Sequence, residues 1–205
     1  MVPGYWQQAI VDLSLRDPVM RRLIQQFGDA VLQQRGDAFT TLARAIVGQQ
    51  ISVKAAASVW ERVRTALPEM TPRALIAVEP DVLRTCGLSA RKVEYLRDLA
   101  HHFQAGLSDQ AGWYDLTDEA LIEQLICVKG IGRWTAEMFL IFHLRRPDIL
   151  PLDDIGLQRA VSIHYNNGLP LHKREIDVIA LNWQPWRSVA TWYLWRSLDP
   201  FPVIY

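Results

Sequence analysis

The stretch Leu125-Ile126-Cys127-Val128-Lys129-Gly130-Ile131-Gly132-Arg133-Trp134-Thr135-Ala136 constrains this chain more than any other. Its apolar spacing describes a helix ending near Val128, and a second helix begins at once beyond Gly132. Two glycines one residue apart allow a tight turn and bring backbone N–H groups close to whatever lies outside. Those groups sit at a helix N-terminus, where an anion is favoured. Ile131 anchors the turn by burying its side chain between the two helices. From Leu125 to Arg146 the cations Lys129, Arg133, Arg145 and Arg146 stand against Glu137 alone. A nucleic-acid phosphate is the natural ligand of such a turn, bound without regard to base sequence and weakened by salt. A plain helical hairpin is the alternative reading of the glycines taken alone.

The rest of the chain reads as helix after helix, with no alternating strand. Ser52–Leu67, Ala90–Gly106, Thr117–Val128, Trp134–Leu144, Ile155–Tyr165, Lys173–Leu181 and Trp186–Leu198 carry apolar residues at helical spacing or a start signal. Thr71-Pro72 and Pro80-Asp81 mark two further starts. Gly106 to Trp113 is expected to be a flexible connection. The predicted class is all-α. At 205 residues, half of them apolar, the chain can form one substantial core or two small helical bodies.

Net charge is zero, which argues against a protein that coats nucleic acid through its overall field but leaves room for a local patch. Cys86 and Cys127 lie in apolar helical patterns and read as buried thiols of a reduced compartment. No cysteine cluster suits iron–sulfur ligation and no Cys/His set has zinc spacing. No signal peptide or membrane-length apolar run is evident, so a cytoplasmic protein is expected. Trp183, Trp186, Trp192 and Trp195 crowd thirteen residues; core packing is the simplest reading for most of them. His101-His102 reads as a solvated face.

Several blocks in order across residues 38–198 resemble the helix-hairpin-helix base-excision DNA glycosylases, and within them the 3-methyladenine DNA glycosylase II group. They are Ile46-Val47-Gly48-Gln49-Gln50-Ile51-Ser52, Cys86-Gly87-Leu88-Ser89 with Lys92 and Tyr95, the hairpin itself, Pro151-Leu152-Asp153-Asp154-Ile155-Gly156, and Trp183-Gln184-Pro185-Trp186-Arg187-Ser188. The resemblance implies two helical subdomains flanking a DNA-binding cleft, with residues 38–147 (hairpin 125–136) as one and residues 1–37 plus 148–205 as the other. Larger members carry an N-terminal β-rich domain, which residues 1–37 leave no room for. The implied partner is double-stranded DNA containing a damaged base, met by a monomer with no membrane association.

Asp153 and Asp154 both precede a helical run, where the dipole and free N–H groups favour a carboxylate, and one could be an N-cap. The family pattern assigns catalysis to Asp154, stabilising an oxocarbenium-like sugar and orienting water. At Trp134 bifunctional relatives carry a lysine that attacks the sugar; tryptophan has no amine, so hydrolysis without strand cleavage is implied. Trp134, Met138 and Trp195 match pocket positions, and an indole face suits a cationic alkylated purine such as 3-methyladenine or 7-methylguanine. A pocket for deaminated or oxidised purines, and a non-catalytic DNA-binding module, are the competing readings. Gln49 and Gln50 occupy the family's wedge-loop position and could equally serve as cap and turn residues beside Ser52. Lys129, Gly130, Ile131, Gly132 and Arg133 are the implied DNA contacts. An optional Na+ or K+ on the carbonyls of Ile126, Val128 and Ile131 is also implied, with no other cofactor.

Overall fold

The computed structural model describes residues 2–28, 32, 36–107 and 110–198, and the described residues are helical with no strand. In chain order the helices are α1 (Trp6–Arg16), α2 (Pro18–Phe27), α3 (Ala38–Gly48), α4 (Val53–Ala66), α5 (Pro72–Ala77), α6 (Pro80–Thr85) and α7 (Ala90–His102). They continue as α8 (Gln110–Trp113), α9 (Asp118–Ile126), α10 (Arg133–Phe142), α11 (Ile155–Tyr165), α12 (Lys173–Ala180) and α13 (Arg187–Leu198). None is long and apolar enough to cross a membrane.

Local chemistry sets the starts. Asp37, Ser52, Thr71, Ser89 and Thr117 each accept a hydrogen bond from the backbone N–H three residues on, satisfying a donor the helix leaves orphaned. Pro18, Pro72 and Pro80 occupy first-turn positions where a missing N–H costs nothing. The Glu175 carboxylate accepts the His172 N–H at 2.7 Å at the head of α12.

The chain divides into two compact units, Met1–Gln34 with Leu140–Ile204 and Arg35–Phe139. The second is built around α3, α4, α7 and α9, with Phe39, Ile46, Val63, Leu96 and Leu125 buried. The segment expected to be a flexible connection carries helical turns among its described residues. A π-helical turn covers Phe103–Leu107, Gly106 takes a left-handed φ of 121°, and α8 follows. The Trp113 indole packs edge-on against Phe103 (6.3 Å) and Phe139 (5.6 Å), which holds the end of α8 to its unit. Residues 108 and 109 of that expected connection lie outside the described residues.

The first unit is organised around a buried carboxylate. Asp17 caps α2 by accepting the Val19 and Met20 N–H groups on Oδ1 (2.8 and 3.1 Å). Its Oδ2 accepts the Tyr165 hydroxyl (2.7 Å) and the Trp183 indole N–H (3.0 Å). Burial, with Asp17 beside it, pushes the Tyr165 phenol well above its ordinary pKa, so it stays a donor. Asp17→Ala removes a cap and strands one buried donor, Trp183, and one half-buried donor, Tyr165. We expect a loss on the order of 3 kcal/mol, read as a fall in Tm of roughly 10 °C; a change within about 2 °C would show that the cluster contributes little.

The tryptophan-rich segment is mostly structural, as its density suggested. Trp183 is fully buried on Asp17, and Trp186 donates to Asp12 at 2.9 Å and stacks on Tyr5. Trp192 packs edge-on against Trp6. Of the cysteines, Cys86 is buried, but Cys127 is exposed. It stands at the C-cap of α9, where the helix face turns to solvent.

Candidate active site and DNA interface

In the Arg35–Phe139 unit the hairpin forms where it was expected. α9 ends at Ile126, and the Val128 N–H donates to the Leu125 carbonyl (3.1 Å). The Ile131 N–H donates to the Val128 carbonyl at 3.1 Å, closing the turn. Val128 and Ile131 are buried beneath it. Gly130 has φ +83°, and a Cβ there would lie 2.2 Å from the Tyr95 ring. Only glycine meets both conditions, the left-handed backbone and the close approach. Gly132 has open space around its Cα. The Ala136 N–H donates to its carbonyl, so α10 begins there, and its first N–H groups have no intrahelical acceptor.

The cationic excess read along the chain is smaller in space. Lys129 Nζ pairs with Glu94 (2.7 Å) and its backbone N–H donates to Asp98 (2.8 Å). Arg133 donates to both oxygens of Glu119 at 2.7 Å and pairs with Glu137 at 3.1 Å. The hydrogen bond from Arg133 holds the Glu119 carboxyl below the usual range, and the same bond pushes the guanidinium higher. Glu94 and Glu119 come from other helices, which a count along one segment does not include. A phosphate must compete with them for these two cations, and of the turn's backbone N–H groups that of Lys129 is already given to Asp98 and that of Ile131 to the Val128 carbonyl.

The Gln49–Gln50 turn follows α3. Gln49 donates its side-chain amide to the Gly130 carbonyl (2.7 Å), and Gln50 is exposed with φ +58°. Ser52 caps α4. Trp134 is half-buried and Met138 buried, four residues apart on one face of α10.

In the other unit, Asp154 is the N-cap of α11 and 8% exposed. Its Oδ1 accepts the Leu157 N–H at 2.6 Å and the Trp195 indole N–H at 2.8 Å. Trp195 is stacked on Phe142 with centroids 5.6 Å apart and planes 12° off parallel. A Cβ at Gly156 would stand 3.1 Å from that carboxylate oxygen and 3.3 Å from the indole, so glycine permits their approach. The neighbouring Asp153 is exposed and ion-paired with Lys173. The two aspartates thus differ sharply: one is held in place by a buried cap and an indole, the other is a surface ion pair. The strand of chain leading to Asp154 is fixed as well. Arg187 grips both Asp148 oxygens (2.8 and 3.0 Å), and the Ile149 N–H donates to the buried Ser188 hydroxyl. Trp195 as the partner of Asp154, with Phe142 and Gly156 supporting the pair, was not evident from residue spacing; the glycine two residues after the aspartate was the one local signal.

Residues 43–187 match the model of the HhH-GPD superfamily of base excision DNA repair proteins. DNA-3-methyladenine glycosylase 1 of Schizosaccharomyces pombe is 32% identical over 199 residues, covering 93% of this chain and 86% of that protein. The structure of a 3-methyladenine DNA glycosylase from the same yeast in complex with abasic DNA superposes with a TM-score of 0.79 at 29% identity, covering 96% of this chain and all of that one. A DNA-3-methyladenine glycosidase of Bacillus halodurans gives a TM-score of 0.80 at 35% identity, covering 91% and 89% of the two chains. The chain belongs to the HhH-GPD superfamily of base excision DNA repair proteins.

Proposed function

We infer that this protein is a DNA-3-methyladenine glycosylase, a hydrolase that releases an alkylated purine from double-stranded DNA and leaves an abasic site. The observation that carries the residue assignment is the Asp154 carboxylate, fixed by the Leu157 N–H and the Trp195 indole at the start of α11.

Alkylation at N3 or N7 makes the purine cationic. As the C1′–N bond breaks, its electron pair passes to the base, which leaves neutral and needs no dedicated acid. Positive charge develops on the sugar, where the Asp154 carboxylate stabilises it electrostatically. Water then adds to C1′ and gives up a proton, for which Asp154 is the acceptor. Trp134 offers the base an aromatic face for cation–π contact, with Met138 one turn along the helix. Trp195 acts first as the group that orients Asp154. Trp134 carries no amine, so the sugar is not captured covalently.

The backbone of Gly130 to Arg133 is our proposed phosphate contact, with Lys129 and Arg133 available by exchange from Glu94 and Glu119. Gln49 and Gln50 are proposed to meet the opened stack. A monovalent cation is proposed at the turn on the carbonyls of Ile126, Val128 and Ile131; the Val128 oxygen accepts the Ile131 N–H and, like any carbonyl oxygen, has a second lone pair to offer. When bound, such an ion would add positive charge beside the phosphate. The protein is expected to act as a monomer in the compartment that holds the DNA.

The substrate assignment is tested with duplexes carrying one lesion each. Release of 3-methyladenine and 7-methylguanine, with 8-oxoguanine and hypoxanthine released at least about tenfold more slowly, is the expected result. Faster release of 8-oxoguanine or hypoxanthine would overturn the alkylpurine assignment.

A further inference from the structure

Helix α7 carries residues that touch both of the turns assigned to DNA. Lys92 donates from Nζ to the carbonyls of Val47 and Gln49, each at 2.8 Å. Val47 lies in the last turn of α3, where carbonyls have no intrahelical donor and a cation complements the helix dipole. Three residues on, the Tyr95 ring fills the space above Gly130, and three further on Asp98 accepts the Lys129 N–H. This i, i+3, i+6 spacing lines the three side chains along one face of the helix. Gln49, held by Lys92 through its carbonyl, reaches with its side chain to the Gly130 carbonyl, 81 residues away in sequence. Two turns distant in sequence are therefore fastened to one helix and to each other.

We propose that Lys92 is a positioning residue for the opening of DNA, holding the Gln49–Gln50 turn in a fixed relation to the Gly130 hairpin so that both engage one duplex. The proposal rests on the reading that these turns meet DNA. Among the described residues Lys92 pairs with no carboxylate, only with carbonyls. Partial burial pulls its pKa below that of an ordinary lysine. The exposed Gln50, in its left-handed conformation, follows the carbonyl that the ammonium holds. An apolar side chain at 92 would release both carbonyls and let that turn relax, while Tyr95 and Asp98 would still hold the hairpin.

The test uses the full chain and a duplex holding a tetrahydrofuran abasic analogue next to 2-aminopurine, whose fluorescence rises on unstacking. Lys92→Met is expected to unfold cooperatively and to bind about tenfold more weakly. At saturating protein its fluorescence rise should fall below about half that of the unaltered protein, with Lys92→Arg restoring most of both. Should Lys92→Met fail to fold, Lys92→Gln, which keeps a donor for one carbonyl, carries the same readout. A full fluorescence rise in the saturated Lys92 variant overturns the proposal, and so does the absence of any rise when the unaltered protein binds. Base release from an alkylated duplex is measured separately. A protein that releases no base yet loses its fluorescence rise on Lys92→Met ends the glycosylase reading and keeps this one. Base release with an undiminished rise in the variant ends this one alone.

Discussion

Asp154→Asn is expected to bind damaged duplex as the unaltered protein does and to release base at least about a hundredfold more slowly. The substitution is nearly isosteric, and asparagine is as good an N-cap as aspartate. Its amide oxygen can still accept the Leu157 N–H and the Trp195 indole N–H that hold the aspartate. What disappears is the negative charge facing the developing oxocarbenium ion. Single-turnover rates with enzyme in excess, beside anisotropy on the same duplex, separate the two effects. Asp153→Asn is the control. It breaks only an exposed ion pair with Lys173, worth less than about 1 kcal/mol, and its rate should stay within about twofold of the unaltered protein. A normal rate in Asp154→Asn would remove this aspartate from the mechanism, and a large loss in Asp153→Asn alone would move the role by one residue.

Gly130→Ala is expected to weaken binding to damaged and undamaged duplex alike, by about tenfold or more. The left-handed φ of +83° disfavours any L side chain, by roughly 1–2 kcal/mol. The larger effect is steric, because the new methyl would fall within the Tyr95 ring. The turn must move away from α7, which breaks the Gln49 link to the Gly130 carbonyl and displaces the N–H groups offered to phosphate. Since phosphate contacts act on all sequences, the loss should not depend on the lesion, and the salt dependence of binding should become shallower. Gly132→Ala, with open space at its Cα, should cost far less. Equal binding by Gly130→Ala and the unaltered protein would show that the hairpin backbone is not a DNA contact.

Much of this was legible in the sequence wherever a feature is local. Thr117, Ser52 and Thr71 are caps that reveal a helix start within a few residues, and α11 begins and ends where its apolar spacing said. The paired glycines of the hairpin and the aspartate ahead of α11 are local in the same sense. Contacts between distant segments were not legible. Asp17 meets Tyr165 and Trp183 across 148 and 166 residues, and nothing in its neighbourhood announces them. The exposure of Cys127 depends on which side of the helix end faces its unit. The apparent charge of the hairpin was overstated for the same reason, because Glu94 and Glu119 fold back onto Lys129 and Arg133 from elsewhere. Trp195 matched a pocket aromatic by position, yet its indole N–H is committed to Asp154.

Hydrolysis of an N-glycosidic bond without covalent capture of the sugar is read from the identity of its products. A duplex with a single 7-methylguanine, labelled in the damaged strand, is incubated with the protein, and base, strand and borohydride-treated protein are followed in one reaction. Free base should appear in step with abasic sites, the strand should stay intact until treated with alkali, and borohydride should trap no protein–DNA adduct. A trapped adduct, or a strand cut without alkali, would contradict it.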